Sequence, residues 1–225
     1  MNEKKLMFYH IHNPSAHAQL NFLRYVPTAK WVMMVREPLQ SCESWIKNQF
    51  LDNDYPGVVN KIIAMLFEFN KEIYTNKNSI GVRLEDLKEH PRPTITALCE
   101  WMGIETNDSL YKMTVNGKRW WGDPTSEDFN IDGMDPFGKR AIARKVGKIF
   151  SERDQFVLRT LFYPFSVKFG YTEENFSNFR RDLKVIRPML CELFDFEKTM
   201  MNQKNIESNE LMQSGPVIFF RSGLI

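Results

Sequence analysis

The sequence is poor in cysteine and has no long hydrophobic run. Its three cysteines, Cys42, Cys99 and Cys191, are too few and too far apart for the disulfide framework of a small secreted domain. No run approaches the roughly 18 apolar residues of a membrane-spanning helix. The first residues also lack the apolar core of a signal peptide. We therefore expect a soluble, cytoplasmic protein without a transmembrane segment.

The sequence also has no large excess of positive or negative charge, since its net charge is only +2. A general nucleic-acid binder would need a strongly basic face, so no nucleic-acid partner is expected, although a local basic pocket for one nucleotide is compatible with this balance. The four histidines show no zinc-ligand spacing, so no metal site is expected. The 225 residues fit a domain with a genuine core.

What the sequence does contain is a clear strand and helix pattern from Trp31 onwards. The uninterrupted apolar run from Trp31 to Val35 predicts a strand buried on both faces, as in a parallel sheet. Pro38 suits the first position of a helix. An earlier apolar run over residues 6–12 predicts another strand, and a helix between the two completes a βαβ unit. The inward positions of the helix after Pro38 recur at helical spacing: Leu39, Cys42, Ile46 and Phe50.

Arg36 and Ser44 are candidate ligands of an anion. Arg36 would stand at the carboxyl end of the strand and Ser44 in the second turn of the helix. Ligands bind at this end of an α/β sheet, where helix N-termini add partial positive charge, so an arginine and a hydroxyl there suit a phosphate. A surface arginine beside a solvated serine fits the same spacing equally well.

Three blocks of the sequence resemble sulfotransferases that use 3′-phosphoadenosine 5′-phosphosulfate (PAPS). Residues 30–44 resemble their 3′-phosphate-binding segment, in which a strand ends in Arg-x-Pro and a serine follows eight residues after the arginine. Residues 81–93 and 98–104 look like the strand ending in Tyr-Glu-Asp-Leu and its following helix, with Leu84 in place of the aromatic residue. Residues 144–171 are similar to the C-terminal basic segment and closing helix.

The resemblance implies a fold, a cofactor and site residues. The fold would be a P-loop-NTPase-like three-layer α/β sandwich with a short, mostly parallel sheet. The cofactor would be PAPS and the product adenosine 3′,5′-bisphosphate. Arg36 and Ser44 would bind the 3′-phosphate, and a late basic loop would add a cation from Arg144, Lys145 or Lys148, which a solvated basic surface explains almost as well.

His12 is the candidate general base. His12-Asn-Pro14 matches the His-x-Pro pattern that ends a strand before the Arg-x-Pro segment in family members acting on hydroxyls. A histidine with a pKa near neutrality can take the acceptor's proton. A hydrogen-bonded structural histidine is the other interpretation, which we prefer for His10, His17 and His90. Glu85 and Asp86 are also interpreted as structural, holding neighbouring loops.

The sequence departs from the family at its start. Family members begin with a strand, a Gly-containing phosphate loop and a helix, whereas the first glycine here is Gly57. We therefore expect an N-terminally incomplete domain over residues 1–175, of doubtful activity by itself. A non-catalytic relic or nucleotide-binding module is the alternative, and a nucleotide kinase-like protein is a weaker third. An open sheet edge predicts poor solubility or a homo-oligomer.

The remaining segments are predicted more coarsely. Residues 106–148 form a long irregular segment, and Ser151 with Asp154 has the form of a capping box before a helix. Residues 176–200 are expected to form a C-terminal helix and residues 201–225 a flexible tail. The acceptor is a hydroxyl or amine compound of unknown class: a small molecule, a lipid or a carbohydrate.

Overall fold

The computed structural model describes residues 8, 10, 16–68, 71–112, 114–115, 118–119, 135–139 and 142–204. This part of the chain is α/β, mostly helical, with a short two-stranded parallel sheet. None of its helices is long and apolar enough to cross a membrane. The strand predicted over residues 6–12 lies outside the described residues except for Phe8 and His10, which carry no regular structure.

The first described elements follow the predicted pattern. They are α1 (Ala16–Tyr25), β1 (Trp31–Val35), α2 (Pro38–Leu51) and α3 (Tyr55–Glu68). Pro38 occupies the start of α2, and Leu39, Cys42 and Ile46 are buried while Phe50 is half-buried. The predictions of the strand and of the inward helix face are therefore confirmed.

Strand β1 is not buried on both faces, so that prediction was wrong. Trp31 and Val35 are buried, but Val32 is 44% and Met34 is 56% exposed. Successive strand side chains point to opposite faces, and the described part of the chain leaves the Val32 and Met34 side uncovered. A continuous apolar run therefore did not mean burial on both sides here.

The second strand is β2 (Ser79–Arg83), which pairs with β1 in parallel from Trp31 opposite Ser79 to Val35 opposite Arg83. Between α3 and β2 the chain forms a 3₁₀ turn, Glu72–Tyr74. An Asx turn, in which Asn78 N donates to Asn76 Oδ1 (2.8 Å), then leads the chain into β2.

Beyond β2, α4 (Leu84–Glu89) and α5 (Pro91–Met102) run in sequence. Gly103 ends α5 with φ of 75°, the left-handed conformation in which helices commonly end. A small antiparallel pair, β3 (Thr114–Val115) and β4 (Lys118–Arg119), lies in the segment predicted to be irregular. Within that segment, residues 113, 116–117, 120–134 and 140–141 lie outside the described residues.

The C-terminal part consists of α6 (Glu152–Leu161), α7 (Tyr163–Lys168), α8 (Phe176–Met189) and α9 (Asp195–Lys204). The single helix predicted over residues 176–200 is thus two helices. Ser151 caps α6, since its Oγ accepts from Asp154 N at 3.2 Å. The side chain of Asp154 does not complete a capping box but accepts from Asp195 N and Phe196 N, both at 2.9 Å.

The main hydrophobic core lies among the helices rather than on the sheet. It joins α2, α3 and α6 to α8, α9 and the turn between these last two. Two buried acids inside it are hydrogen-bonded: Asp154, described above, and Glu197, which accepts from Tyr55 Oη at 2.7 Å. The fully buried large side chains of this core include Phe150, Phe194, Phe196, Leu39, Ile46, Ile62, Leu158 and Ile186.

Candidate anion-binding site

Arg36 follows the last residue of β1 and precedes the first turn of α2, as the sequence predicted. It is half-buried, and its Nε donates to Gln40 Oε1 at 2.9 Å. Burial lowers the pKa of Arg36, and the positive charge of Arg144 lowers it further, against the opposing effects of Glu85 and Glu37. Two like charges are therefore held close to each other at the start of α2.

Arg144 reaches the same place from far along the chain. Its Nη1 donates to Ser44 Oγ at 3.4 Å, a long hydrogen bond between residues separated by 100 positions. Gln40 and Ser44 are four residues apart and thus neighbours on one face of α2. The structure brings together Arg36, Ser44 and Arg144 around the first two turns of this helix.

Two other predicted site residues, Lys145 and Lys148, do not join this cluster. Lys145 and Lys148 lie on the same loop as Arg144 with exposed side chains, and neither makes a hydrogen bond within the described part of the chain. His12, the predicted general base, lies outside the described residues. The positions of Lys145 and Lys148 leave Arg144 as the loop cation nearest to Arg36.

Two carboxylates near the cluster, Glu37 and Glu85, accept hydrogen bonds from backbone amides and a phenol. Glu37 caps α2, accepting from Gln40 N at 2.5 Å. Glu85 accepts from Glu37 N at 2.9 Å and from Tyr171 Oη at 2.8 Å. Burial raises the pKa of Tyr171, and the bond to Glu85 raises it further, so the phenol stays protonated as a donor. Glu85 thus ties the turn carrying Arg36 to the segment after α7, in agreement with its structural interpretation.

Asp86 is structural too. Its carboxylate pairs with Arg83, with Nη2 to Oδ1 at 2.5 Å and Nε to Oδ2 at 2.7 Å. This bond lowers the pKa of Asp86. Arg83 also donates from Nη1 to the carbonyl of Gly170 at 2.8 Å, which fixes the chain beside Tyr171. Neither partner belongs to the Arg36 cluster.

Sequence reasoning missed Gln40 and Glu43. Gln40 bonds Arg36 and also donates from Nε2 to the carbonyl oxygens of Ile142 (3.2 Å) and Arg144. Glu43 is a buried acid whose carboxylate accepts backbone N–H groups from the loop around Gly147. The signal for Gln40 was its place one turn before Ser44, on the same face of α2. An acid between two apolar positions, Cys42 and Ile46, was the signal for Glu43.

A cavity of ≈ 230 Å³ adjoins the cluster on the side of β1. Arg36 forms part of its wall, so the cavity and the arginine pair share a residue. The rest of the wall is predominantly apolar and aromatic: Met34, Val35, Pro38, Ser41, Trp45, Met65, Tyr74, Phe162 and Phe165. Within the described residues, no group of three metal-ligating side chains is present.

Comparison of this chain with protein-family models, with curated proteins and with solved structures found no match.

Proposed function

We propose that this chain is a sulfotransferase-like protein that binds PAPS, with Arg36, Ser44 and Arg144 holding the 3′-phosphate. The single observation that carries the proposal is the meeting of these three residues around the start of α2, with Arg144 donating to Ser44. The finer fold, a P-loop-NTPase-like three-layer sandwich, is part of the same proposal.

A phosphate dianion suits this cluster better than a neutral ligand. Burial, and after it the positive charge of Arg144, disfavours the charged form of Arg36, and a bound dianion would stabilise that form. Arginine forks match phosphate oxygens in pairs, and the first turn of α2 adds partial positive charge. Glu37 and Glu85 accept hydrogen bonds from backbone amides and a phenol.

The proposed reaction transfers the sulfuryl group to a hydroxyl or amine. The acceptor's oxygen or nitrogen forms a bond to sulfur, and the bond between sulfur and the 5′-phosphate oxygen breaks. Adenosine 3′,5′-bisphosphate leaves with that electron pair. The acceptor's proton passes to a base, the role that the resemblance gives to His12. The acceptor is a small molecule, a lipid or a carbohydrate.

A non-catalytic nucleotide-binding module of the same fold is the second candidate. Both candidates require the 3′-phosphate site, and they differ only in sulfuryl transfer.

The first test is calorimetric titration of the full chain with adenosine 3′,5′-bisphosphate. Arg36→Ala should weaken binding about 10- to 150-fold, the value of one lost charge-assisted hydrogen bond. Arg92→Ala, which removes an exposed arginine stacked near the Tyr111 ring, is the matched control and should bind like the parent chain.

Ligand specificity supplies the second control. Adenosine 5′-monophosphate lacks the 3′-phosphate and should bind much more weakly than the bisphosphate. Equal binding of both nucleotides, or full binding by a folded Arg36→Ala chain, would contradict the proposed site. Transfer of sulfate from PAPS to a panel of phenols, sugars and amines then separates the enzyme from the binding module.

A further inference from the structure

Two side chains of α2 fasten the loop that carries Arg144. Gln40 donates to the carbonyl oxygens of Ile142 and Arg144 at the start of this loop. Glu43, one turn later, accepts from Gly147 N with both carboxylate oxygens at 3.1 Å. Its Oε1 also accepts from Ile149 N at 2.6 Å and from Phe150 N at 3.1 Å. The loop over residues 142–150 is therefore attached to α2 at both of its ends.

Gln40 also connects the two arginines. Its Oε1 accepts from Arg36 Nε while its Nε2 donates to the backbone of the Arg144 loop. The Nε atom lies in the guanidinium plane, so this bond fixes the orientation of that plane. One neutral amide thus sets the direction of Arg36 and the position of the Arg144 backbone together.

The guanidinium groups of Arg36 and Arg144 repel each other, so their own interaction would not hold Arg144 in this position. The attraction has to come from groups other than the arginines. Glu43 supplies it as a 7% exposed carboxylate that is satisfied by three backbone donors, and Gln40 supplies it without adding charge. A buried carboxylate with several N–H donors is a stable arrangement.

We propose that Gln40 is a positioning residue of the anion site and that Glu43 clamps the same loop, so that Arg144 is held beside Arg36 before an anion binds. The inference rests on the proposed function for the identity of the nucleotide. The proposed attachment of the loop to α2 does not depend on which nucleotide binds. It implies that the nucleotide meets an assembled pair of arginines and does not have to order the loop.

A double-mutant cycle on adenosine 3′,5′-bisphosphate binding tests the role of Gln40. Gln40→Ala should weaken binding about 5- to 10-fold by releasing Arg144. Arg144→Ala added to Gln40→Ala should cost little more, because the two changes remove the same contact. Gln49→Ala is the matched control, since Gln49 lies on the same helix and accepts from Lys61 instead. It should leave binding unchanged.

Gln40→Glu separates positioning from simple packing. The variant keeps the size of the side chain and can still accept from Arg36, but it cannot donate to the carbonyl oxygens of Ile142 and Arg144. We expect it to bind at least as weakly as Gln40→Ala, with an unchanged melting temperature. Full binding by Gln40→Glu would overturn the assignment.

Hydrogen exchange of the nucleotide-free chain tests the clamp. The amides of Gly147, Ile149 and Phe150 should be protected in the parent chain and exchange faster in Glu43→Gln. Unprotected amides in the parent chain would overturn the preformed loop.

The two proposals fail differently. In two cases the nucleotide site stands and the positioning role of Gln40 falls, provided that Arg36→Ala abolishes binding. In the first, Gln40→Ala has no effect on binding. In the second, the binding free energy lost in Gln40→Ala adds fully to that lost in Arg144→Ala. If the folded parent chain binds no nucleotide, the proposed function falls, and protected loop amides that Glu43→Gln releases would still support the clamp.

Discussion

At the scale of single residues, Ser44 is the smallest part of the candidate site and the most informative. Its hydroxyl accepts from Arg144 at 3.4 Å, a distance at which a neutral hydrogen bond contributes little by itself. A hydroxyl can also donate to a phosphate oxygen while it accepts from an arginine. In the proposed complex Ser44 would therefore contact both the loop cation and the anion.

We expect Ser44→Ala to weaken binding of adenosine 3′,5′-bisphosphate about 5-fold, the value of about 1 kcal/mol for one net hydrogen bond. Ser41→Ala is the matched control, because Ser41 lies on the same helix but lines the adjoining cavity. Calorimetric titration of both variants measures the difference. If both variants lose the same affinity, or if Ser44→Ala loses none, Ser44 is not part of the anion site.

At the scale of elements, the start of α9 depends on an acid from α6. Asp154 is fully buried and accepts from Asp195 N and Phe196 N, two donors that the first turn of α9 cannot pair internally. Burial raises the pKa of Asp154, while these two amides act in the opposite direction. The carboxylate thereby fastens the C-terminal helices to the rest of the core.

Asp154→Asn should destabilise the fold by about 1–3 kcal/mol, because the asparagine amide offers one acceptor where two donors need pairing. Urea unfolding followed by circular dichroism measures this change. Asp52→Asn, at an exposed position after α2, should stay within about 0.5 kcal/mol of the parent chain. If Asp154→Asn lowers the free energy of unfolding no more than the control does, α9 is held by its apolar contacts alone.

The elements with strong local signals could be predicted from the sequence. Pro38 and Pro91 stand at helix starts and Gly103 at a helix end, and each position depends on the conformational limits of one residue. The end of α3 and the exposure of Met34 depend on which other segments pack nearby, which no local pattern encodes. Asp154 shows the same limit, since its partners lie 41 and 42 residues further on.

The candidate site could be predicted in part for the same reason. Arg36 and Ser44 share a short strand and helix unit, so their spacing already places both near the start of α2. The choice of Arg144 over Lys145 and Lys148 depends on how a loop folds onto Gln40, a contact across 104 residues. Spacing could identify that loop as basic but could not select the cation that contacts Ser44.

At the scale of the whole molecule, the sheet is the least protected part of the described structure. It has two strands, so each strand has one edge without a partner among the described residues. Val32 and Met34 expose apolar side chains on β1. An open edge beside exposed apolar residues is a site where a second chain can pair or pack.

We therefore expect the parent chain to self-associate as its concentration rises. Met34→Lys places a charge on the exposed face of β1 and should reduce this association, because burying an unpaired ammonium group at a contact is costly. Leu51→Lys is the matched control, since Leu51 is 68% exposed at the end of α2, away from the strands. Sedimentation velocity over a range of concentrations measures the average mass of each chain.

The control decides what the association means. The average mass can rise with concentration for the parent chain and for Leu51→Lys but stay at the monomer value for Met34→Lys. That result would assign the contact to the face of β1. Equal suppression by both lysines would point to a general effect of added charge on solubility. A parent chain that stays monomeric at every concentration would contradict the prediction, and would mean that the exposed face of β1 is too small to hold a second copy.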